Sequence, residues 1–197
     1  LHVPAKHWSM GDPGPGFAFD NEQGSHTQEV AAFQIDAAPV TWARFLPFVV
    51  AGGYEQPAWW SEAGWAWRCA QHPQPPRHLR RGSAHPWEQQ RWGRWLPLDP
   101  QGAACHLSAY EAEAWCAWAG RALPTEAQWE VAAHTAPGFA WGQVWEWTST
   151  PFAPFPGFEA HPYRDYSAPW FHSRPVLKGA SPGTAPRMRH PRYRNYF

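Results

Sequence analysis

An excess of charge of either sign is missing from this sequence. Lysine and arginine together number 16, aspartate and glutamate also 16, and the formal net charge is zero. Proteins that grip phosphate backbones draw most of their affinity from a basic excess, so nucleic acid is not an expected partner. No apolar run approaches the roughly 20 residues that a membrane span requires, and no membrane association is expected. Cysteine is scarce. Cys69, Cys105 and Cys116 form neither a CxxC pair nor an even set, which argues against a disulfide framework and fits reduced thiols in a cytoplasmic protein.

What is abundant is tryptophan (16), proline (23) and glycine (16), with only 16% charged residues. Tryptophan at this density supplies a large apolar payload with a polar N–H handle. Proline and glycine place much of the backbone in ordered turns. A loop-rich α+β fold is expected, as a single domain over residues 1–197.

Residues 1–28 carry turn chemistry, and a strand is expected from Glu29 to Asp36. A helix should open at Thr41, bury Phe45, Leu46, Phe48 and Val49, and end at Gly52-Gly53. From Tyr54 to Pro100 the pattern is irregular and tryptophan-rich, with a short helical turn near Trp59–Gly64. Ser108-Ala109-Tyr110-Glu111 and Thr125-Glu126-Ala127-Gln128 are capping boxes that start two further helices; Cys116 is a small core residue on the first. Short strands are expected at Val144–Thr148 and Val176–Gly179.

Gly120–Glu130 (GRALPTEAQWE), preceded by Glu111–Trp118 (EAEAWCAW), then Gly142–Thr148 (GQVWEWT) and Val176–Ser181 (VLKGAS) follow one another in this order. They resemble the three signatures of the formylglycine-generating-enzyme superfamily, which implies its variant of the C-type-lectin fold, with short strands and a few short helices. Phe17–Glu22 (FAFDNE), Gly52-Gly53-Tyr54, Trp59-Trp60-Ser61, Pro156-Gly157-Phe158, Tyr163–Ser167 (YRDYS) and Tyr193-Arg194-Asn195 resemble the C-terminal domain of ergothioneine-pathway sulfoxide synthases and the similar selenoneine synthases. True formylglycine-generating enzymes are disfavoured, because the pair of cysteines expected near their C-terminal end has no counterpart after Cys116.

This resemblance implies C–S or C–Se bond formation at the imidazole C2 of hercynine (Nα-trimethylhistidine), using nonheme Fe(II), O2 and a thiol or selenosugar donor. The family's iron ligands lie in an N-terminal helical bundle carrying HxxxHxE, a motif this sequence does not contain. The chain is therefore expected to be the substrate-binding half of a larger enzyme, clipped at both ends. The helical iron-binding domain would be its partner, and the Fe(II) ligands would lie outside this chain. The alternative is a non-catalytic lectin-like module that binds a small ligand without iron.

A quaternary ammonium has no N–H to donate, so its recognition rests on aromatic faces. The segment Arg187–Phe197, RMRHPRYRNYF, alternates four arginines and a histidine with aromatics and reads as pocket lining. Asn195, Tyr196 and Phe197 are candidate substrate-binding residues, with Trp145 and Phe158 as candidate walls. Actinobacterial sulfoxide synthases have Trp-Asp where Tyr196 and Phe197 stand, and that Asp helps hold γ-glutamylcysteine. Its loss here points to cysteine or a selenosugar as donor. Arg192 and Arg194 could clamp a carboxylate bidentately; Arg194 reads equally as a buried structural residue. Tyr163 and Tyr166 are candidates for the catalytic acid, a role the family commonly gives to a tyrosine. Relatives hold calcium through the Asn and Glu that flank VWEW, positions taken here by Gln143 and Glu146, and the oxygen chemistry suits a hard ion.

Overall fold

The computed structural model describes residues 1–71, 76–83 and 85–197. Four short strands come first: β1 (His2–Val3), β2 (Lys6–Met10), β3 (His26–Val30) and β4 (Phe33–Gln34). Helices α1 (Trp42–Val50) and α2 (Glu62–Gln71) precede β5 (Leu79–Arg80), β6 (Glu88–Arg91) and β7 (Arg94–Pro97). Then come α3 (Ala109–Trp118), α4 (Glu126–Thr135), β8 (Trp145–Pro151), β9 (Pro175–Gly179) and β10 (Asn195–Tyr196). Every pairing between these strands is antiparallel. The fold is α+β, built from small sheets and short helices. Among the described residues no helix is long and apolar enough to cross a membrane.

Two compact units make up the chain, Val40–Leu123 and the combination of Leu1–Pro39 with Pro124–Phe197. In the Val40–Leu123 unit the core gathers Trp42, Phe45, Phe48, Tyr54, Trp60, Leu79, Ala114, Trp115 and Cys116. Two of its buried indoles have their polar handles satisfied, Trp60 donating to the Gly53 carbonyl and Trp115 to that of Arg44, whereas the Trp42 indole nitrogen is buried without a partner. The Ser108–Glu111 capping box forms as expected, and Glu111 also accepts the Tyr54 hydroxyl proton at 2.6 Å. Gly52 ends α1 in the left-handed region at φ 75°. Gly53 is needed for a different reason, since a β-carbon there would lie 2.1 Å from the Phe48 ring. All three cysteines are free thiols.

Two expectations need correction here. The turn near Trp59–Gly64 is a one-turn 3-10 helix at Pro57–Trp59 followed by the full helix α2. The stretch to Pro100 contains the three-stranded sheet β5–β6–β7 rather than irregular chain. Its strands are rich in Gln and Arg, which carry little strand propensity. The hairpin is made by its turn: Trp92 and Gly93 both hold positive φ, 50° and 74°, the geometry of a two-residue hairpin loop. Residues 72–75 and 84 of that stretch lie outside the described residues.

In the second unit, β2 pairs with β3 from Lys6↔Val30 to Met10↔His26, so strands occupy part of the region expected to be turns. The expected strand at Glu29–Asp36 instead divides into the end of β3 and β4, because β2 supplies a partner only as far as Val30. α4, opened by the Thr125–Gln128 capping box, packs against β2, β3, β8 and β9. Both faces of α4 are covered. Ala127, Val131 and Ala132 join Val3, Met10 and Val30 in an apolar cluster, while Glu126 and Glu130 are buried one turn apart. Glu126 receives Arg194 through two bonds, Nε to Oε1 at 2.7 Å and Nη2 to Oε2 at 3.0 Å. Glu130 takes the Lys178 ammonium at 3.1 Å and the Trp8 indole N–H at 3.0 Å. Lys178 also lies 3.7 Å from Glu126.

Breaking one partner of a buried pair strands the other charge, at a cost of roughly 3–5 kcal/mol. Arg194→Met should lower stability in urea unfolding by about that amount. The Glu126→Gln/Arg194→Met double variant should recover part of the loss.

Candidate functional site

The Leu1–Pro39/Pro124–Phe197 unit carries a cavity of about 220 Å³ lined by Phe17, Phe19, His161, Tyr163 and Tyr166. Its residues come from two distant segments held together below the cavity floor. Phe17 and Phe19 flank Ala18 just ahead of the buried turn Asp20-Asn21-Glu22. Asn21 donates to Ser167 Oγ at 3.0 Å, and the Ser167 hydroxyl donates in turn to Asp20. The His161 amide also donates to Asp20, at 3.3 Å. One buried acid thus fixes both ends of the loop that presents His161, Tyr163 and Tyr166.

The aromatic rings continue from the cavity. Phe19 stacks on Tyr166 at 4.7 Å and meets Tyr193 edge-on at 5.6 Å. The Tyr166 and Tyr193 hydroxyls are 3.2 Å apart, and Trp145 on β8 faces Tyr193 at 5.6 Å. Tyr196 stacks on Phe152 at 4.2 Å, and its hydroxyl donates to the Tyr166 carbonyl. Burial, reinforced by the Tyr193 hydroxyl, pushes the Tyr166 phenol far above the usual tyrosine range. Burial also raises Tyr193 and lifts Tyr196 to about 12. All three are neutral phenols near pH 7, and burial makes each a weaker acid than a free tyrosine.

The candidate residues are distributed unevenly around this shell. Tyr163, 68% exposed, and Tyr166 line the cavity, and Trp145 and Tyr196 adjoin it through Tyr193 and Tyr166. Phe158 packs instead on Phe171 at 5.0 Å. Asn195 uses Oδ1 to accept the Tyr196 amide, and Phe197 is 79% exposed. Arg194 is committed to Glu126 and to the Asn21 and Ala153 carbonyls. Arg192 donates to the Ser9 and Gly11 carbonyls. The cavity residues Phe17, Phe19 and His161, and the linking Tyr193, were not among the candidates. Phe17, Phe19 and Tyr193 do fall within the FAFDNE and Tyr-Arg-Asn segments that carry the family resemblance.

Gln143 is exposed in the turn before β8. Glu146 has a buried Oε1 without a hydrogen-bond partner. Burial raises its carboxyl to about 7, opposed by the Trp129 indole. A β-carbon at Gly179 would meet the Val144 carbonyl at 3.1 Å and Glu146 Oε1 at 3.5 Å, so the glycine leaves the space near both oxygens open. An orphaned carboxylate oxygen with a carbonyl in the same neighbourhood suits a hard, oxygen-seeking cation. Iron is different. Among the described residues no three His, Cys, Asp or Glu side chains gather where a metal could be held, and no residue of this chain is assigned to it.

A model of the sulfatase-modifying factor enzyme 1-like domain matches residues 1–142. The hercynine oxygenases of Mycolicibacterium thermoresistibile and Mycobacterium tuberculosis are each 32% identical over 91% of this chain, which covers 50% and 52% of those proteins. The formylglycine-generating enzyme of Streptomyces coelicolor is 32% identical over 72% of this chain and 50% of its own length. The chain thus spans about half the length of the curated relatives it matches.

Glu22, under the aromatic shell, yields a pH test. Its Oε2 accepts the Phe19 amide at 2.7 Å, while Oε1 is buried without a hydrogen-bond partner, 3.7 Å from His190. Burial raises its carboxyl to about 7, with the Phe19 amide and Lys178 opposing. An acid with a raised native pKa binds its proton more tightly when folded, so this contribution to stability is present at low pH and fades from pH 4.5 to about 7. Glu22→Gln lacks that loss. The thermal midpoint of this variant should therefore gain on the wild type by several degrees across that window and hold its lead above it. A constant difference would show that Glu22 titrates normally.

Proposed function

The chain belongs to the sulfatase-modifying factor enzyme 1-like family, and from that premise we propose that it is the substrate-binding portion of an enzyme acting on hercynine. The observation that carries this proposal is the aromatic-walled cavity beside a phenol that keeps its proton, in a chain similar over 91% of its length to hercynine oxygenases. Phe19, Tyr166 and their neighbours would receive the trimethylammonium group. Rings around such a cation contribute roughly 0.5–2 kcal/mol each. Tyr166 holds its proton at Oη beside Tyr193 and is proposed as the general acid, although burial makes it a weaker acid than a free tyrosine, so transfer would require a strongly basic acceptor oxygen. Tyr163 is more exposed and guards the cavity mouth.

The complete enzyme would use nonheme Fe(II) and O2, with the iron held by a separate N-terminal helical domain, to form a C–S or C–Se bond at the imidazole C2. Cysteine or a selenosugar is the proposed donor, because Tyr196 and Phe197 offer no carboxylate where γ-glutamylcysteine would need one. Ergothioneine or selenoneine biosynthesis in the cytoplasm is the corresponding role. Calcium is proposed as a structural ion held by Glu146 with the Val144 carbonyl and Gln143.

Calorimetric titration should show hercynine binding tighter than histidine by about tenfold or more. Phe19→Leu should erase most of that margin. With the helical domain and Fe(II) supplied, Tyr166→Phe should retain hercynine and lose product. Equal affinity for histidine would defeat the cage. Hercynine binding without any product from the wild type would instead favour a non-catalytic lectin-like module. For calcium, addition of the ion should raise the thermal midpoint of the wild type by several degrees and leave Glu146→Gln unmoved. An unresponsive wild type would remove calcium from the proposal.

A further inference from the structure

Arg192 and Arg194 in the tail are the expected carboxylate clamps, yet the cation best placed for that role lies elsewhere. Arg174 immediately precedes β9. The register that sets Tyr196 opposite Val176 brings Phe197 alongside the start of that strand. The Arg174 guanidinium lies 3.9 Å from the centre of the Trp170 ring and 5.8 Å from that of Phe197.

The platform beneath it is held firmly. The Phe152 amide donates to the Arg174 carbonyl and the His172 amide to the Phe152 carbonyl, both at 2.7 Å. The Trp170 indole donates to the Asp165 carbonyl at 3.1 Å, and Ser173 Oγ donates to the Trp170 carbonyl at 2.9 Å. His172 is held at φ 62°, a conformation that costs a non-glycine residue energy and persists only where its surroundings enforce it. Phe152 is also the ring on which Tyr196 stacks, so the platform and the candidate site share a wall. The Arg174 charge reaches Tyr196, where it offsets part of the effect of burial.

Among the described residues Arg174 forms no ion pair, and its side chain donates no hydrogen bond. Lys178, Arg192 and Arg194 are all engaged by α4 or by backbone carbonyls. A stacked guanidinium presents its N–H edge outward, already oriented, and that fork matches a carboxylate bidentately.

We propose that Arg174, seated on Trp170 and beside Phe197, binds the carboxylate of an amino-acid-derived substrate, an assignment that rests on the hercynine site described above. The carboxylate belongs either to the betaine or to a thiol amino acid such as cysteine. Where the carboxylate is the donor's, a neutral selenosugar would give this arginine no partner, and Arg174 then discriminates between donor classes.

The test uses the full chain and two matched ligand pairs in calorimetry: hercynine with its decarboxylated counterpart trimethylhistamine, and cysteine with cysteamine. Arg174→Met should weaken the carboxylate-bearing member of one pair by about tenfold to a hundredfold and leave its decarboxylated partner unchanged. Arg174→Lys, which keeps the charge and loses the fork, should fall between. The pair that responds identifies the source of the carboxylate. Equal losses within a pair, or no loss in either, overturn the assignment; unchanged thermal midpoints in both variants guard against a folding artefact. A wild type that binds neither hercynine nor trimethylhistamine defeats the hercynine reading, and the cysteine pair then decides on Arg174 alone. Binding of none of the four defeats both.

Discussion

The structure around the candidate site depends on the placement of buried charge. Glu126 and Glu130 face the interior one turn apart on α4, where an unpaired carboxylate would be costly to desolvate. Lys178 from β9 and Arg194 from the tail meet them. Neither pair is strong evidence for stability, because burying four charges offsets most of their attraction. What the arrangement supplies is position. With Arg194 drawn inward, Tyr193 is carried against Phe19 and Trp145, and Tyr196 reaches the Tyr166 carbonyl.

Another buried acid does the same for a second side of the site. Asp20 holds Ser167 and the His161 amide, and so fixes the loop that contains Tyr163 and Tyr166. The aromatic shell is thus suspended between two sets of polar anchors. Its rings need not be self-supporting, and the cavity residues can be chosen for what they present to a ligand. The arginines divide accordingly: Arg194 and Arg192 are spent on architecture, and Arg174 is left with its donors unpaired.

The features legible in the sequence were those whose physics is local. Ser108–Glu111 and Thr125–Gln128 satisfy each other's backbone donors within three residues, so both helix starts were readable. Gly120, at φ 65°, follows α3 in the left-handed conformation that glycine adopts most readily, which is also a local signal. What could not be read was long-range. Nothing near Arg194 indicates that its partner is Glu126, 68 residues away, and nothing near Phe19 indicates Tyr166. The β5–β7 sheet is not legible in the sequence because its strands are polar and its signal is a single two-residue turn. The signatures identified the family correctly, but family resemblance alone did not separate the arginine that binds structure from the one placed to bind a ligand.

The contact between Gly53 and Phe48 bears on how such a chain can diverge. A β-carbon at position 53 has no room while the Phe48 ring is present, and Phe48 is itself fully buried among Phe45, Tyr54 and Trp118. The two positions are therefore epistatic in one direction. In any lineage that has lost the glycine, the ring at 48 must already have shrunk or moved, so the order of the two substitutions is imposed by packing rather than by selection for function.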